Sequence, residues 1–379
     1  MSFLSYLIPF LIVLGVVVFV HEFGHFIVGR WCGVKVDAFS LGFGPELFAF
    51  EDSKGTRWRI AAIPLGGFVK FHGDANGASM PDPDQLDKMS AAERSVTFYG
   101  QNVWKRAAIV FAGPAANFLL AISLYTAFFA ANGQIIHIPK VATVMPGTAA
   151  EEAGFRSGDI VLSIDGAEIP SFDKLFETVQ VSAGKALIFK VLRDGAETEL
   201  TATPRLHVTE TLLGKAKTGL LGVQASADPA DLRHERYGLV DSLGLAVDET
   251  WNVVARTYHY VARLAAGRES ADQLSGPIGI AQVSGQMAQA ISTVGVWPFF
   301  NLIAILSVSI GLLNLMPVPL LDGGHLAFFA IEALRGRALN ERTQEYAFRV
   351  GLAMVCSLML FSTYNDVARL IRKFAGLDS

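Results

Sequence analysis

The run LIPFLIVLGVVVFVHEFGHFIV (residues 7–28) decides what kind of fold this chain has. A helix rising 1.5 Å per residue needs about 20 residues to cross the hydrocarbon core of a bilayer, and this stretch supplies them. His21, Glu22 and His25 interrupt its second half. An ionisable group inside a span costs roughly 2.5–3.5 kcal/mol on insertion scales, so three such residues within one turn and a half point to a function. His21 and His25 stand at i and i+4, hence on one helix face, with Glu22 beside them. Two imidazole ligands and a general base result, the base serving a water whose pKa a zinc ion lowers to about 7.

The rest of the composition agrees with a membrane chain. Of 379 residues 51% are hydrophobic and 17% charged, and the mean hydropathy is +0.39, whereas soluble domains carry about 25% charged residues. The net charge of −4 offers no basic field for nucleic acid. Two distant cysteines, Cys32 and Cys356, exclude a secreted disulfide scaffold. Three further apolar runs, Ala107 to Ala131, Phe299 to Leu321 and Val350 to Tyr364, bring the expected spans to four. No Lys or Arg precedes the first run and no small-residue cleavage site follows it, so it is expected to remain in the mature chain.

Positive residues near span ends collect on the cytoplasmic side. Arg30 and Lys35 follow span one, Lys105 and Arg106 precede span two, and Arg335, Arg337, Arg342 and Arg349 lie between spans three and four. Both termini are therefore expected outside, although Arg369, Arg372 and Lys373 after span four run against this. The intervening residues 132–298 have soluble-domain composition and are expected to be extracytoplasmic. Strands are expected at Val141–Val144 and Gly158–Gly166, a short helix over Ser171–Val181, and a hairpin of Leu187–Leu192 and Glu197–Thr203 turning at Asp194-Gly195.

Two histidines need a third protein ligand. Val28 and Trp31 stand where the familiar helical extension carries Gly and a third His, so the ligand comes from elsewhere. The end of span three, Asn314-Leu315-Met316-Pro317-Val318-Pro319-Leu320-Leu321-Asp322-Gly323-Gly324-His325, is the best source. Two prolines break the helix there, and an aspartate in broken backbone at membrane depth must face protein or a polar cavity. Asp322 is the preferred ligand and His325 its rival, with Glu332 and Glu345 farther into the charged loop.

These motifs, with Gly113-Pro114-Ala115-Ala116-Asn117 in span two and Ser275-Gly276-Pro277-Ile278-Gly279 before span three, resemble the site-2 protease family of intramembrane zinc metalloproteases, in its bacterial RseP-type branch. The resemblance covers nearly the whole chain. It implies His21, His25 and Asp322 as zinc ligands, Glu22 as catalytic base, and a substrate that itself spans the membrane. It also implies a PDZ domain at about residues 138–205. Many members carry two in tandem; residues 206–236 are too short for a second.

A helical substrate hides its scissile carbonyl in the helix ladder, so it must unwind and pair its freed backbone groups, which an exposed strand edge allows. Arg57 to Lys70 reads as two strands and resembles the family's membrane-embedded β-loop. Ile60, Gly67 and Val69 there, and Asn314 in span three, are the expected substrate-binding residues. Gly113 and Asn117 read as helix-packing residues, residues Gly73 to Glu93 with Asp82-Pro83-Asp84 as a solvated acidic loop, and Tyr237 to Leu264, with Trp251 and Tyr258, as a segment lying on the outer membrane surface.

The expected fold is a polytopic α-helical membrane protein with four transmembrane helices, a membrane-associated β-hairpin and an inserted extracytoplasmic PDZ-like β-rich domain. Its parts are a first membrane half (1–131), the PDZ domain (138–205), a linker with an amphipathic segment (206–298) and a second membrane half (299–379). The expected function is zinc-dependent cleavage of single-span membrane proteins within the bacterial inner membrane, after an upstream site-1 protease has trimmed them. The alternatives are a catalytically silent membrane adaptor, which need not keep Glu22 with both histidines and Asp322, and a metal-ion transporter, which needs ionisable residues repeated across spans two and three.

Overall fold

The computed structural model describes residues 4–74, 88–211, 214–226, 228–265, 276–337 and 339–374. Asp82-Pro83-Asp84 and Ser275 therefore lie outside the described residues. Two compact units result: one holds residues 1–127, 243–259 and 274–379, the other residues 128–242 and 260–273.

Helices long and apolar enough to cross a membrane dominate the first unit. They are α1 (Leu4–Trp31), α3 (Val103–Asn132), α8 (Trp297–Asn314) and most of α10 (Glu341–Phe374). A short α2 (Ala91–Ser95) precedes α3, opened by a capping box in which Ser90 and Glu93 satisfy each other's backbone N–H groups. Helix α8 ends at Asn314, seven residues short of the expected Leu321. Pro317 and Pro319 cannot donate to a helix ladder, so the chain turns there before α9 (Asp322–Arg335) begins. Leu320, at φ 105°, bends that turn backwards. A Cβ on Gly323 would lie 2.3 Å from the carbonyl oxygens of Leu315 and Met316, so only glycine lets the turn fold onto itself directly after Asp322.

Between α1 and α3 lie β1 (Val36–Glu51) and β2 (Arg57–Phe71), and here the structure corrects the sequence reading. The two halves of Arg57 to Lys70 do not pair with each other. The first half of β1 runs between them, with Phe39 opposite both Trp58 and Val69 and Leu41 opposite both Ile60 and Gly67. The second half of β1 then pairs on the far side of residues 57–61, Phe48 opposite Ile60. Residues 67–71 are thus an edge and residues 57–60 are interior. Arg30 at the foot of α1 ties the sheet down through Asp52 (2.5 Å) and Thr56 (2.8 Å). Burial pushes the Asp52 carboxyl up, yet donors from Trp58, Thr56 and Arg30 together hold it well below the usual carboxylate range. Phe26, Phe39, Val69, Phe71, Phe98, Ile109 and Phe329 form the apolar core that joins sheet and helices.

The second unit is built on β3 (Gln134–His137), β4 (Val141–Val144), α4 (Ala149–Glu152), β5 (Ile160–Ile164), β6 (Ala167–Glu168), α5 (Phe172–Gln180), β7 (Leu187–Arg193) and β8 (Ala196–Ala202). Strands β6, β5, β7 and β8 form one antiparallel sheet in that order. Both of its tight turns are Asp-Gly, at Asp165-Gly166 and Asp194-Gly195, with positive φ at all four residues as two-residue hairpins need. The unit runs past Arg205: β9 (Arg205–Thr211) and β10 (Gly214–Leu220) make a hairpin, β11 (Val223–Ala225) returns to β4, and β12 (Leu232–Glu235) returns to β3. Residues beyond 205 are therefore part of its sheets and not linker, because β3 and β4 would otherwise keep bare edges. Val161, Leu187, Phe189 and Val191 fill its core.

Two helices follow β12. Helix α6 (Leu239–Ala265) covers the expected amphipathic segment and exposes Leu239, Leu243, Val247, Trp251 and Tyr258. Helix α7 (Pro277–Val294), not foreseen, packs on α1, where Gly285 leaves room for Tyr6.

Candidate metal centre

His21 and His25 lie one turn apart on α1, both buried, and Asp322 is the first residue of α9. Their ligand atoms converge. His21 Nε2 is 3.2 Å from His25 Nε2 and 3.2 Å from Asp322 Oδ2, and His25 Nε2 is 3.5 Å from the same oxygen. A tetrahedral zinc with bonds of about 2.0–2.1 Å sets its ligands about 3.3 Å apart, so the three groups are spaced as such an ion would require and could hold one. Asp322 Oδ2 is buried and makes no hydrogen bond, as an oxygen kept for a cation would. Among the described residues no other His, Cys, Asp or Glu group converges in this way.

The rival ligands are engaged elsewhere. His325 lines the same cavity, but its ring packs against Phe329 and Phe348. Glu332 is held by Arg106 at 2.5 Å, and Glu345 by Arg349. The Arg106 guanidinium also lies over the Phe329 ring, so the foot of α3 grips the helix that carries Asp322.

Helix α3 contributes no ligand yet orients both histidines. The Ile109 carbonyl lies 2.9 Å from His25 Nδ1, and the Asn117 amide 3.3 Å from His21 Nδ1. Gly113 lies between them, and a Cβ there would be 2.3 Å from His25 Nε2. Gly24 likewise lets α1 approach the Ala112 carbonyl of α3. The reading of Gly113 and Asn117 as a close helix contact plus an interhelical hydrogen bond holds, and the structure adds that their partners are the two histidines. The clue was their spacing: i, i+4 on one helix answers His21 and His25 at i, i+4 on its antiparallel neighbour.

A cavity of about 510 Å³ opens on the cluster, lined among others by Glu22, Phe43, Gly67, Val69, Asn314 and Val355. Glu22 sits against the backbone at Gly67, where a Cβ would come within 2.9 Å of its Cγ. Asn314 Nδ2 is 3.3 Å from His21 Nε2, at the rim of the ligand cluster. Of the expected substrate-binding residues, Gly67, Val69 and Asn314 face this cavity; Ile60 is not among its lining residues, and its strand segment is paired on both sides.

Membrane-length helices and a buried cluster of two imidazoles and a carboxylate beside a glutamate are the features of a membrane metalloenzyme. Comparison with known proteins gives the family. The profile of peptidase family M50 matches residues 9–358, so the chain belongs to that family, the site-2 protease type. It is 47% identical over 368 residues, 97% of each chain, to a protein of Agrobacterium fabrum named "putative zinc metalloprotease". It is 40% identical over 395 residues to the metalloprotease MmpA of Caulobacter vibrioides, covering 99% of this chain and 98% of that one. The protein is a zinc metalloprotease with zinc as its cofactor.

Proposed function

We propose that the protein cleaves membrane-spanning segments of single-span proteins in the bacterial inner membrane, with zinc held by His21, His25 and Asp322 and with Glu22 as the base. The observation that carries this reading is the 3.2–3.5 Å triangle of Nε2, Nε2 and Oδ2 at the head of a cavity bordered by a strand edge. Zinc bound there supplies a Lewis acid that polarises a carbonyl and acidifies water. The Glu22 carboxylate takes the proton from the attacking water and passes it to the departing amine.

Residues 67–71 receive the unwound substrate. The His72 N–H points to Lys35 beside β1 and the Phe71 N–H to Asp74, so strand alternation turns the N–H groups of Gly67 and Val69 away from β1. An extended substrate pairs along that edge while Asn314 bonds it from the opposite side. The second unit is a PDZ-like, extracytoplasmic domain that excludes substrates still carrying bulky outer domains, so a prior trimming cut licenses the intramembrane one.

The test is purified protein with zinc against a library of single-span segments. Cleavage within the apolar stretch, lost together with zinc in Asp322→Ala and retained in His325→Ala, is expected. Zinc at full stoichiometry in Asp322→Ala would move the third ligand elsewhere.

A further inference from the structure

We propose that Asn117 is a positioning residue for His21, its side-chain carbonyl holding the His21 Nδ1–H and so presenting Nε2 to the metal. The inference rests on the metal-centre reading above. Asn117 is fully buried on α3, and its amide nitrogen, as placed, lies 3.3 Å from His21 Nδ1. Its Oδ1 is buried without a hydrogen-bond partner among the described residues.

The tautomer of His21 follows from where its other nitrogen points. Nε2 faces Asp322 Oδ2 and His25 Nε2 at 3.2 Å each, so it is the nitrogen that meets a cation. A metal-bound imidazole nitrogen carries no proton, which places the proton on Nδ1. An Nδ1–H facing an amide NH₂ is donor against donor. The nitrogen and oxygen of an amide have nearly the same shape, and their placement is an assignment made from the hydrogen-bond network. Turning the amide by 180° sets the orphaned oxygen against Nδ1–H, which supplies both groups with the partner they lack. His25 already has the equivalent bond to the Ile109 carbonyl, at 2.9 Å. The Asn117 backbone carbonyl accepts from Ser307 Oγ at 2.9 Å, a contact that does not involve the amide facing His21.

The test uses the full-length protein, purified in detergent and stripped of metal, with zinc affinity read by chelator competition and ligand geometry by the visible spectrum of the Co²⁺-loaded form. Asn117→Leu keeps the size and removes the acceptor, so zinc affinity is expected to fall roughly 10- to 100-fold, with altered Co²⁺ bands. Asn117→Asp offers only acceptor oxygens and is expected to bind zinc as tightly as wild type. Ser307→Ala is expected to leave affinity unchanged. Wild-type affinity in Asn117→Leu, a loss in Asn117→Asp, or an equal loss in Ser307→Ala each overturns the proposal. If Asn117→Leu fails to fold, Asn117→Asp decides alone. His21→Ala separates the two levels: wild-type affinity there overturns the metal centre itself, whereas a loss there with none in Asn117→Leu overturns only the role of Asn117.

Discussion

Replacing Gly113 by alanine adds one methyl group to a membrane helix, and the structure predicts that it removes the metal. The new Cβ would lie 2.3 Å from His25 Nε2, 2.5 Å from Cε1 and 2.9 Å from Cδ2. Non-bonded carbon needs about 3.0–3.4 Å even in crowded interiors, so the imidazole must retreat by roughly 0.7–1.1 Å. Metal–ligand distances tolerate only about 0.2 Å. The ring is held by the Ile109 carbonyl at 2.9 Å and cannot retreat without giving up that bond. A misplacement near 1 Å at a reacting centre costs about 100-fold in rate. Alanine is also the better helix former by about 1 kcal/mol, so the fold should survive. Purified Gly113→Ala should therefore elute and melt like wild type, bind zinc at least tenfold more weakly by chelator competition, and cleave at least about 100-fold more slowly. Full zinc stoichiometry with normal turnover would show that the His25 ring does not face a metal beside Gly113, and would refute the reasoning.

Three further outcomes are expected. Glu22→Gln should retain zinc and lose about 10²–10⁴ in turnover, since it removes a base and not a ligand; normal turnover on purified protein would assign the base to another group. Burial pushes the Asp74 carboxyl up to about 8, against the pull of the Phe71 N–H and Lys70. A carboxyl raised in the fold contributes stability that is full below about pH 4 and is lost as pH rises toward 8. Melting temperatures from pH 5 to 9 should then favour Asp74→Asn increasingly up to about pH 8 and level off beyond it, and parallel curves would contradict this. Excising residues 134–235, whose ends are cross-strand partners in β3 and β12, should let the enzyme cut untrimmed substrates and leave trimmed ones unaffected. A loss on trimmed substrates instead would assign the unit to binding a freshly exposed carboxylate.

The parts legible in the sequence are those fixed by local periodicity or turn chemistry. His21, Glu22 and His25 announce themselves by helical phase, and Asp194-Gly195 marks a turn because few other pairs accept positive φ at both positions. Asp322 was legible because two prolines forbid a helix before it. Strand β1 was not, since Gly42, Gly44 and Pro45 break the alternation of Phe39, Leu41 and Phe43 in mid-strand and read locally as a turn. Nor was the division of β2 between an interior segment and an edge, which depends on β1 passing between its halves. The return of β11 and β12 to β4 and β3 is a pairing across about 80 to 100 residues, which no local pattern encodes. Asn117 was visible as a polar residue in a span; its partner was not, because the register between two helices is a tertiary fact.

Since α3 orients both histidines while Asp322 arrives only at α9, the centre has an order of assembly written into the chain. Helices α1 and α3 are complete by Asn132, with Ile109, Gly113 and Asn117 already opposite His25 and His21. The carboxylate that closes the triangle follows about 190 residues later, on the order of ten seconds or more of synthesis. Through that interval the nascent chain carries Glu22 and the two imidazoles without the third of the proposed ligands. On the proposed ligand set, the metal centre therefore cannot be completed until α8 has been made.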